Sequence, residues 1–286
     1  MKILLAKDAG YCFGVRDAVD MAYNTAEEHD DVYMLGHIVH NENVVNDLDK
    51  AGAKVVDSLD DVPDGKPILF RAHGTAVDTW DDAKTKDMNI VDATCPLVWE
   101  IHEEVKKLEK EGRKIIIVGD HGHDEVVGIA SQVNNPIIVS SPKEAKALRK
   151  TKRAGVVSQS TQTIENVQEI INIIMTKVFD LRFVNTICFP TKRNQTQIKE
   201  LAKQCDVMVI IGSFSSANSK RLTALAKDRN KNSYQVTCAE EIEPKWLEGA
   251  ETVGVSAGAS TPDNIIHDVI IKIKEIEEVT KEMVYG

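Results

Sequence analysis

Nothing in this chain approaches the length of a membrane span. Its longest apolar runs, Ile115–Val118 and Val207–Ile211, fall far short of the roughly 18 residues a bilayer-crossing helix needs and have the length of buried strands. The amino terminus returns to charge at Lys7 and Asp8, too soon for a secretory signal. Integral membrane and secreted classes are therefore excluded. An excess of basic charge is also missing. Lys plus Arg is 35 against 45 for Asp plus Glu, a formal balance of −10, so a grip on nucleic acid through its phosphates is not expected. Cysteine is scarce and odd in number: five, at 12, 95, 188, 205 and 238, with no close pair. That argues against a disulfide framework and against a zinc site of the C-x₂-C kind, and for a reducing compartment. Walker and G-x-G-x-x-G patterns are absent, which leaves nucleotide binding little support. No low-complexity or Pro/Gly/Ser-rich linker marks a domain boundary.

What is present is alternation. A length of 286 residues sets a prior of about two domains, and hydrophobic (42%) and charged (28%) fractions are those of a globular protein. Short β-branched runs predict strands at Lys2–Ala6, Val32–Leu35, Pro67–Arg71, Lys114–Val118, Gly155–Ser158, Asp206–Ile211 and Thr252–Ser256. Helical periods lie between them. After Pro96, Leu97, Val98, Ile101, Val105 and Leu108 share a face, and Gly112 supplies the stop. After Thr261 as cap and Pro262 in the first turn, Ile265, Ile266, Val269, Ile270, Ile273 and Ile276 form another stripe. Repeated strand–helix alternation predicts an α/β fold with parallel sheets. The last segment, 275–286, is charged and carries no candidate.

Cys12, Cys95 and Cys188 are separated by 83 and 93 residues, and a helix-like segment follows each. Three units of similar length, each with a cysteine near a helix start, is the economical reading; no sequence repeat accompanies it. Around Cys95, Val91–Pro96 reads as a strand, a tight turn and a helix opening with proline. The unpaired N–H groups of a helix start favour thiolate over thiol. Strand carboxyl ends are where ligands collect in open α/β sheets, so three such units could bring three thiolates to one point. Three widely spaced cysteines suit an iron–sulfur cube with one iron left without a protein ligand better than they suit zinc. Taken singly, each cysteine is as readily a buried hydrophobe, and Cys205 and Cys238 keep that reading.

Other strand ends carry groups suited to an anion. His37–Asn41, Arg71–Thr75 and Gly119–Glu125 bring histidines, and Ser158–Thr163, Gly212–Ser219 and Ser256–Pro262 bring hydroxyls that can cradle phosphate or simply cap helices. His102, inside a helix, is expected to be a hydrogen-bonded structural residue; His29 and His267 fall on helix surfaces or ends. Glu125, two residues past His123, is the carboxylate best placed to donate a proton, since burial beside an anion would keep it protonated.

Taken together, the residues resemble the LytB/IspH family of 4-hydroxy-3-methylbut-2-enyl diphosphate reductases, from Ile3 to about Ile273. The ordered signatures are A-G-Y-C-F-G-V at Ala9–Val15, H-N at His40, A-H-G at Ala72–Gly74 and D-A-T-C-P-L-V at Asp92–Val98. G-H-x-E-V at Gly122–Val126, N-S-x-R-L from Asn218 to Leu222 and A-G-A-S-x-P-D at Ala257–Asp263 follow. The resemblance implies a cytoplasmic iron–sulfur oxidoreductase with three similar parallel-sheet units arranged pseudo-threefold around the cluster. Their boundaries would be 14–95, 96–187 and 188–286, with 1–13 supplying an N-terminal strand and the first ligand.

It further implies one [4Fe-4S] cluster per chain on Cys12, Cys95 and Cys188, with one iron open to substrate. His40, His73, His123, Ser216, Asn218 and Ser260 would contact substrate, chiefly its diphosphate. Glu125 would be the proton source, with Ser160 near the departing oxygen. The implied reaction is reductive dehydroxylation of (E)-4-hydroxy-3-methylbut-2-enyl diphosphate to isopentenyl and dimethylallyl diphosphate, the last step of the non-mevalonate isoprenoid pathway. An external one-electron donor of ferredoxin or flavodoxin type would feed it; neither nucleic acid nor membrane is implied as a partner. Two departures stand out: Ser160 where many members carry threonine, and Ala217 where many carry serine. The competing readings are a mononuclear metal hydrolase using His121, His123 and Glu125, and a non-catalytic phosphate-ligand-binding module.

Overall fold

The computed structural model describes residues 1–29 and 31–285. In chain order its first elements are β1 (Lys2–Leu5), α1 (Phe13–Glu28), β2 (Val32–Leu35), α2 (Glu42–Lys50), β3 (Ala53–Val56), β4 (Pro67–Phe70), α3 (Val77–Thr85) and β5 (Asn89–Asp92). Next come α4 (Pro96–Lys110), β6 (Lys114–Val118), α5 (Asp124–Ala130), β7 (Ile137–Val139), α6 (Pro142–Ala147), β8 (Thr151–Ser158), α7 (Ile164–Met175) and β9 (Val178–Phe183). The chain closes with α8 (Phe189–Gln204), β10 (Val207–Ile211), α9 (Ala217–Lys227), β11 (Ser233–Val236), β12 (Thr252–Ala257) and α10 (Asp263–Tyr285). Gly286, the end of the charged final segment, lies outside the described residues.

The strands form three four-stranded sheets, ordered β3-β2-β4-β5, β7-β6-β8-β9 and β11-β10-β12-β1. Every pairing is parallel. Numbered by connection, each sheet has the same order, 2-1-3-4, with β1 from the amino terminus standing as fourth strand of the sheet that the last third of the chain builds. The order reverses between the first and third strands of each sheet, which creates a crevice at their carboxyl ends.

The chain divides into two compact units. The smaller comprises Met1–Phe13, His40–Val44 and Phe189–Gly286; the larger comprises Gly14–Val39 and Val45–Cys188. In the smaller unit the sheet is buried on both faces. Val207, Val209 and Ile211 of β10 join one core with Val269, Ile273 and Ile276 of α10, while Met208 and Ile210 join another with Ile198 and Leu222 of α8 and α9. Strand periodicity of two explains the split, and burial on both faces explains why β10 reads as an unbroken apolar run.

The larger unit repeats the logic around β6. Ile116 and Val118 face α6 and α7, whereas Ile115 and Ile117 face α4 and α5. The α4 stripe buries Val98, Ile101, His102, Val105 and Leu108, and Gly112, at φ 71°, follows its end as a left-handed residue after a helix should. Leu108 lies over Gly155 of β8, where an added Cβ would come within 2.9 Å of it; Gly155→Val would force β8 and α4 apart. Thr261 departs from its expected role as a cap. Its hydroxyl donates to the Ile211 carbonyl at 3.1 Å, tying α10 to the sheet, and the helix begins at Asp263. Among the described residues no helix is long and apolar enough to cross a membrane.

Candidate functional site

The three cysteines occupy equivalent places in the three sheets. Each follows the fourth strand of its sheet and precedes a helix: Cys12 after β1 and before α1, Cys95 after β5 and before α4, Cys188 after β9 and before α8. Each also makes the same backbone bond. Cys95 N–H donates to the Ala72 carbonyl at 3.0 Å, Cys188 N–H to Ser160 at 3.0 Å and Cys12 N–H to Ala259 at 3.3 Å. Those three acceptors lie two residues past the ends of the third strands β4, β8 and β12. The candidate loops with His73, Ser160 and Ser260 are thus latched one by one to a cysteine of the same sheet.

All three cysteines are half-buried, at helix starts whose dipole favours an anionic sulfur. Gly14 sits against Cys95, so closely that an added Cβ would overlap the Sγ. Phe13 and Phe189, each the next residue after a cysteine, stack at 5.6 Å between ring centroids. Soft sulfur donors at such positions suit an iron–sulfur group. Cys205 differs: it lies in the α8–α9 core, and burial pushes its thiol up. Cys238 is also raised, chiefly by burial. Neither follows a fourth strand.

In the larger unit the switch points of two sheets supply ionisable groups. Glu125 is fully buried; its Oε1 accepts the Ser160 N–H at 2.6 Å and its Oε2 the Ser160 hydroxyl at 2.8 Å. The Glu125 N–H donates to His123 Nδ1 at 3.2 Å, which caps α5 and orients the imidazole. The rings of His73 and His123 meet edge-on, 5.7 Å apart. Arg71 and Asp124, at 2.6 Å, clamp the strand end before His73 to the start of α5. His73, His123, Glu125 and Ser160 therefore form one continuous constellation.

In the smaller unit the groups are neutral donors and acceptors apart from one histidine. Ser260 Oγ donates to the His40 carbonyl at 3.1 Å, and Asn41 Nδ2 donates to the Ser260 carbonyl at 2.7 Å, so His40 and Ser260 are held together. Ser216 caps α9 by accepting the Ser219 N–H. Asn218 is buried, and its Nδ2 has no hydrogen-bond partner among the described residues. A buried amide left that way is unfavourable by roughly 1–3 kcal/mol, as expected of a group kept for a ligand. Ser219, fully buried, wedges between Gly212 and Gly258, where either added Cβ would overlap its Oγ. Asn41 and Ser219 were not singled out by the sequence as individual residues, although the H-N and N-S signatures contain them.

Two expectations are corrected. His121 does not join His123 and Glu125: it is exposed and pairs with Glu144 at 2.9 Å, where backbone and side-chain donors from Ser140 and the His121 contact hold Glu144 down to about 2. The hydrolase reading loses its third ligand. His102 was expected to be hydrogen-bonded, yet neither ring nitrogen has a partner among the described residues. Burial is the chief cause that lowers this ring to about 4.

The chain is similar to several known proteins. The family model described as LytB protein matches residues 3–274. The 4-hydroxy-3-methylbut-2-enyl diphosphate reductase of Geobacter metallireducens is 40% identical over 278 residues, 97% of this chain and 98% of that one. The same-named protein of Geobacter sulfurreducens is 39% identical over 98% of this chain and 100% of its own. Among solved structures, the reductase from Plasmodium falciparum superposes with a TM-score of 0.91 at 28% identity, covering 94% of this chain and 87% of that one. A second, described as the terminal enzyme of the non-mevalonate pathway, gives 0.72 at 37% identity over 96% of this chain and 100% of its own. A match of this extent, on a chain whose three sheets each end in a latched cysteine, places it plainly: the protein belongs to the LytB family.

Proposed function

We propose that this chain reduces (E)-4-hydroxy-3-methylbut-2-enyl diphosphate to isopentenyl and dimethylallyl diphosphate, the closing step of the non-mevalonate pathway, as a cytoplasmic enzyme. The observation that carries the reading is the thrice-repeated bond from a cysteine N–H to the loop two residues beyond a third strand. It joins the sulfur positions to the loops of the polar residues in every sheet.

Cys12, Cys95 and Cys188 would hold one [4Fe-4S] cluster, leaving one iron without a protein ligand; residues 14–95, 96–187 and 188–286, with 1–13, form the three units that carry them. When bound, the cluster supplies electrons one at a time and Lewis acidity for a poor leaving group. Electrons would come from an external ferredoxin- or flavodoxin-type donor.

The chain's own residues divide the rest. His40, His73, His123, Ser216, Asn218 and Ser260 bind the diphosphate. Histidines, hydroxyls and an amide allow an acidic protein to hold an anion without a cluster of Lys and Arg. Ser160 and Glu125 move the proton. With Glu125 protonated, Ser160 Oγ can give its hydrogen to the departing oxygen and be refilled from Glu125 Oε2, along the 2.8 Å contact already made. Because Glu125 is fully buried, this transfer is shielded from bulk water. Ser160 keeps the hydroxyl that a threonine would offer but lacks the methyl that restricts its rotamer; its bond to Glu125 supplies the restriction instead. Ala217 offers the anion only its backbone N–H, and its neighbours Ser216 and Asn218 carry the side-chain contacts.

The deciding experiment is anaerobic purification, iron and sulfide analysis, and turnover of the allylic diphosphate with a strong artificial reductant. The expected result is about four irons and four sulfides per chain with formation of both products. A colourless, metal-free protein that binds diphosphates without turnover would overturn the reading in favour of a binding module.

A further inference from the structure

On the reading that His73 and His123 hold the diphosphate, we propose that His102 is a positioning residue: its buried ring is the spacer that fixes the His73 loop relative to α5. The position lies on the apolar stripe of α4, among Val98, Ile101, Val105 and Leu108, where an aliphatic side chain would satisfy the helix. A histidine there is unfavourable, because its neutral ring carries one N–H in either tautomer and neither nitrogen has a hydrogen-bond partner among the described residues. Core packing alone does not call for it.

Its surroundings do. Gly74, the residue after His73, turns at φ 83°, and an added Cβ would come within 2.9 Å of His102 Cε1 and 3.2 Å of Nε2. Gly128, one turn beyond Glu125 on α5, faces the same nitrogen: its added Cβ would stand 3.5 Å from His102 Nε2 and 3.6 Å from the Gly74 carbonyl carbon. The loop bearing His73 and the helix bearing Glu125 thus meet glycine to glycine, with the imidazole beneath both. Trp99 meets the ring edge-on, 5.4 Å between centroids. The Arg71–Asp124 pair clamps the same two elements. One contact pulls them together and the other sets how far they can go, which fixes the 5.7 Å spacing of His73 and His123. His102 touches neither reacting atoms nor substrate; it acts through the two glycines.

The test uses reconstituted holoenzyme and the variant His102→Ala, with Leu108→Ala as a control that opens a cavity in the same stripe away from the loop. For His102→Ala we expect KM for the allylic diphosphate and Kd for inorganic diphosphate, measured by calorimetry, each to rise about tenfold. We expect kcat within about twofold of the parent and unchanged iron and sulfide. Leu108→Ala should lower Tm without moving KM or Kd. If His102→Ala does not fold, His102→Leu, which refills the volume without a flat ring, is measured in the same way. Unchanged KM and Kd, or an equal rise in Leu108→Ala, would overturn the proposal. Diphosphate binding also reports on His102 independently of turnover: a parent enzyme that binds diphosphate but reduces nothing would sink the reductase reading alone.

Discussion

The two units present different chemistry at equivalent topological places. In the larger unit the switch points carry His73, His123 and Glu125, groups that can gain or lose a proton, and Glu125 accepts both the N–H and the hydroxyl of Ser160. In the smaller unit the switch point of β10 and β12 carries Ser216, Asn218 and Ser260, which donate and accept hydrogen bonds but do not titrate near neutrality. One frame, with the strand order 2-1-3-4 in each sheet, therefore serves two purposes. The frame sets where a side chain stands; the residue at that place decides whether it binds or reacts.

What the units share is the latched cysteine, so its removal should have the largest effect and the same effect on both sides. Cys12→Ser in the smaller unit and Cys95→Ser in the larger should each abolish turnover and lower bound iron, read by metal analysis and visible absorption. Cys205→Ala should leave both in place. A fully active Cys12→Ser enzyme would break the equivalence of the sheets.

The next two variants sharpen the contrast. Glu125→Gln should keep the cluster and lower kcat by about 10²–10⁴-fold, the usual contribution of a positioned acid, with KM nearly unchanged. Asn218→Ala should do the reverse, raising KM by about tenfold, the loss of roughly one hydrogen bond to a charged group, with little change in kcat. If steady-state kinetics showed kcat falling for both, the contrast between a proton-moving Glu125 and a ligand-binding Asn218 would fail.

The last expected effect concerns stability rather than turnover. His102 is neutral in the folded chain down to about 4, chiefly because of burial, whereas an unfolded histidine takes up its proton near 6.5. The unfolded state therefore binds more protons between those values. Stability is complete above about 6.5 and declines as pH falls toward 4, by up to about 3 kcal/mol. Denaturant titrations at pH 7 and 4.5 should show a drop in the parent that is shallower in His102→Leu; parallel drops would refute this assignment.

Much of the fold can be read in the sequence because central strands announce themselves. β2, β4, β6, β8, β10 and β12 are each the first or third strand of a sheet, flanked on both sides, and every one coincides with a predicted apolar run. The strands outside the predicted apolar runs, β3, β7, β9 and β11, are all sheet edges. Ala53–Val56 and Val178–Phe183 keep exposed or half-exposed positions, so they lack the apolar continuity that signals burial on two faces. β8 begins earlier than expected, at Thr151, because pairing with Val178 at the edge extends it.

The candidate site was legible to the extent that its chemistry requires particular residue types. Cysteine before a helix, histidine and glutamate after a strand, and small hydroxyl residues before α9 and α10 are visible as letters. His121 misleads because adjacency in sequence says nothing of direction: only Gly122 separates it from His123, yet it turns outward to Glu144 while His123 turns inward to the Glu125 backbone. His102 misled for the opposite reason, since a histidine on a helical stripe looks alike whether or not its nitrogens find partners.

The sequence by itself determined the alternation of strands and helices, the burial of six central strands and the kinds of group available for chemistry. Those follow from local periodicity and side-chain type, which need no long-range information. Only the tertiary structure decided that β1 completes the sheet built by the last third of the chain, that three cysteine N–H groups share one latch, and that Ser160 closes on Glu125. Each of these joins residues far apart along the chain, and hydrogen bonds and steric fit act over distance in space, which sequence order does not encode.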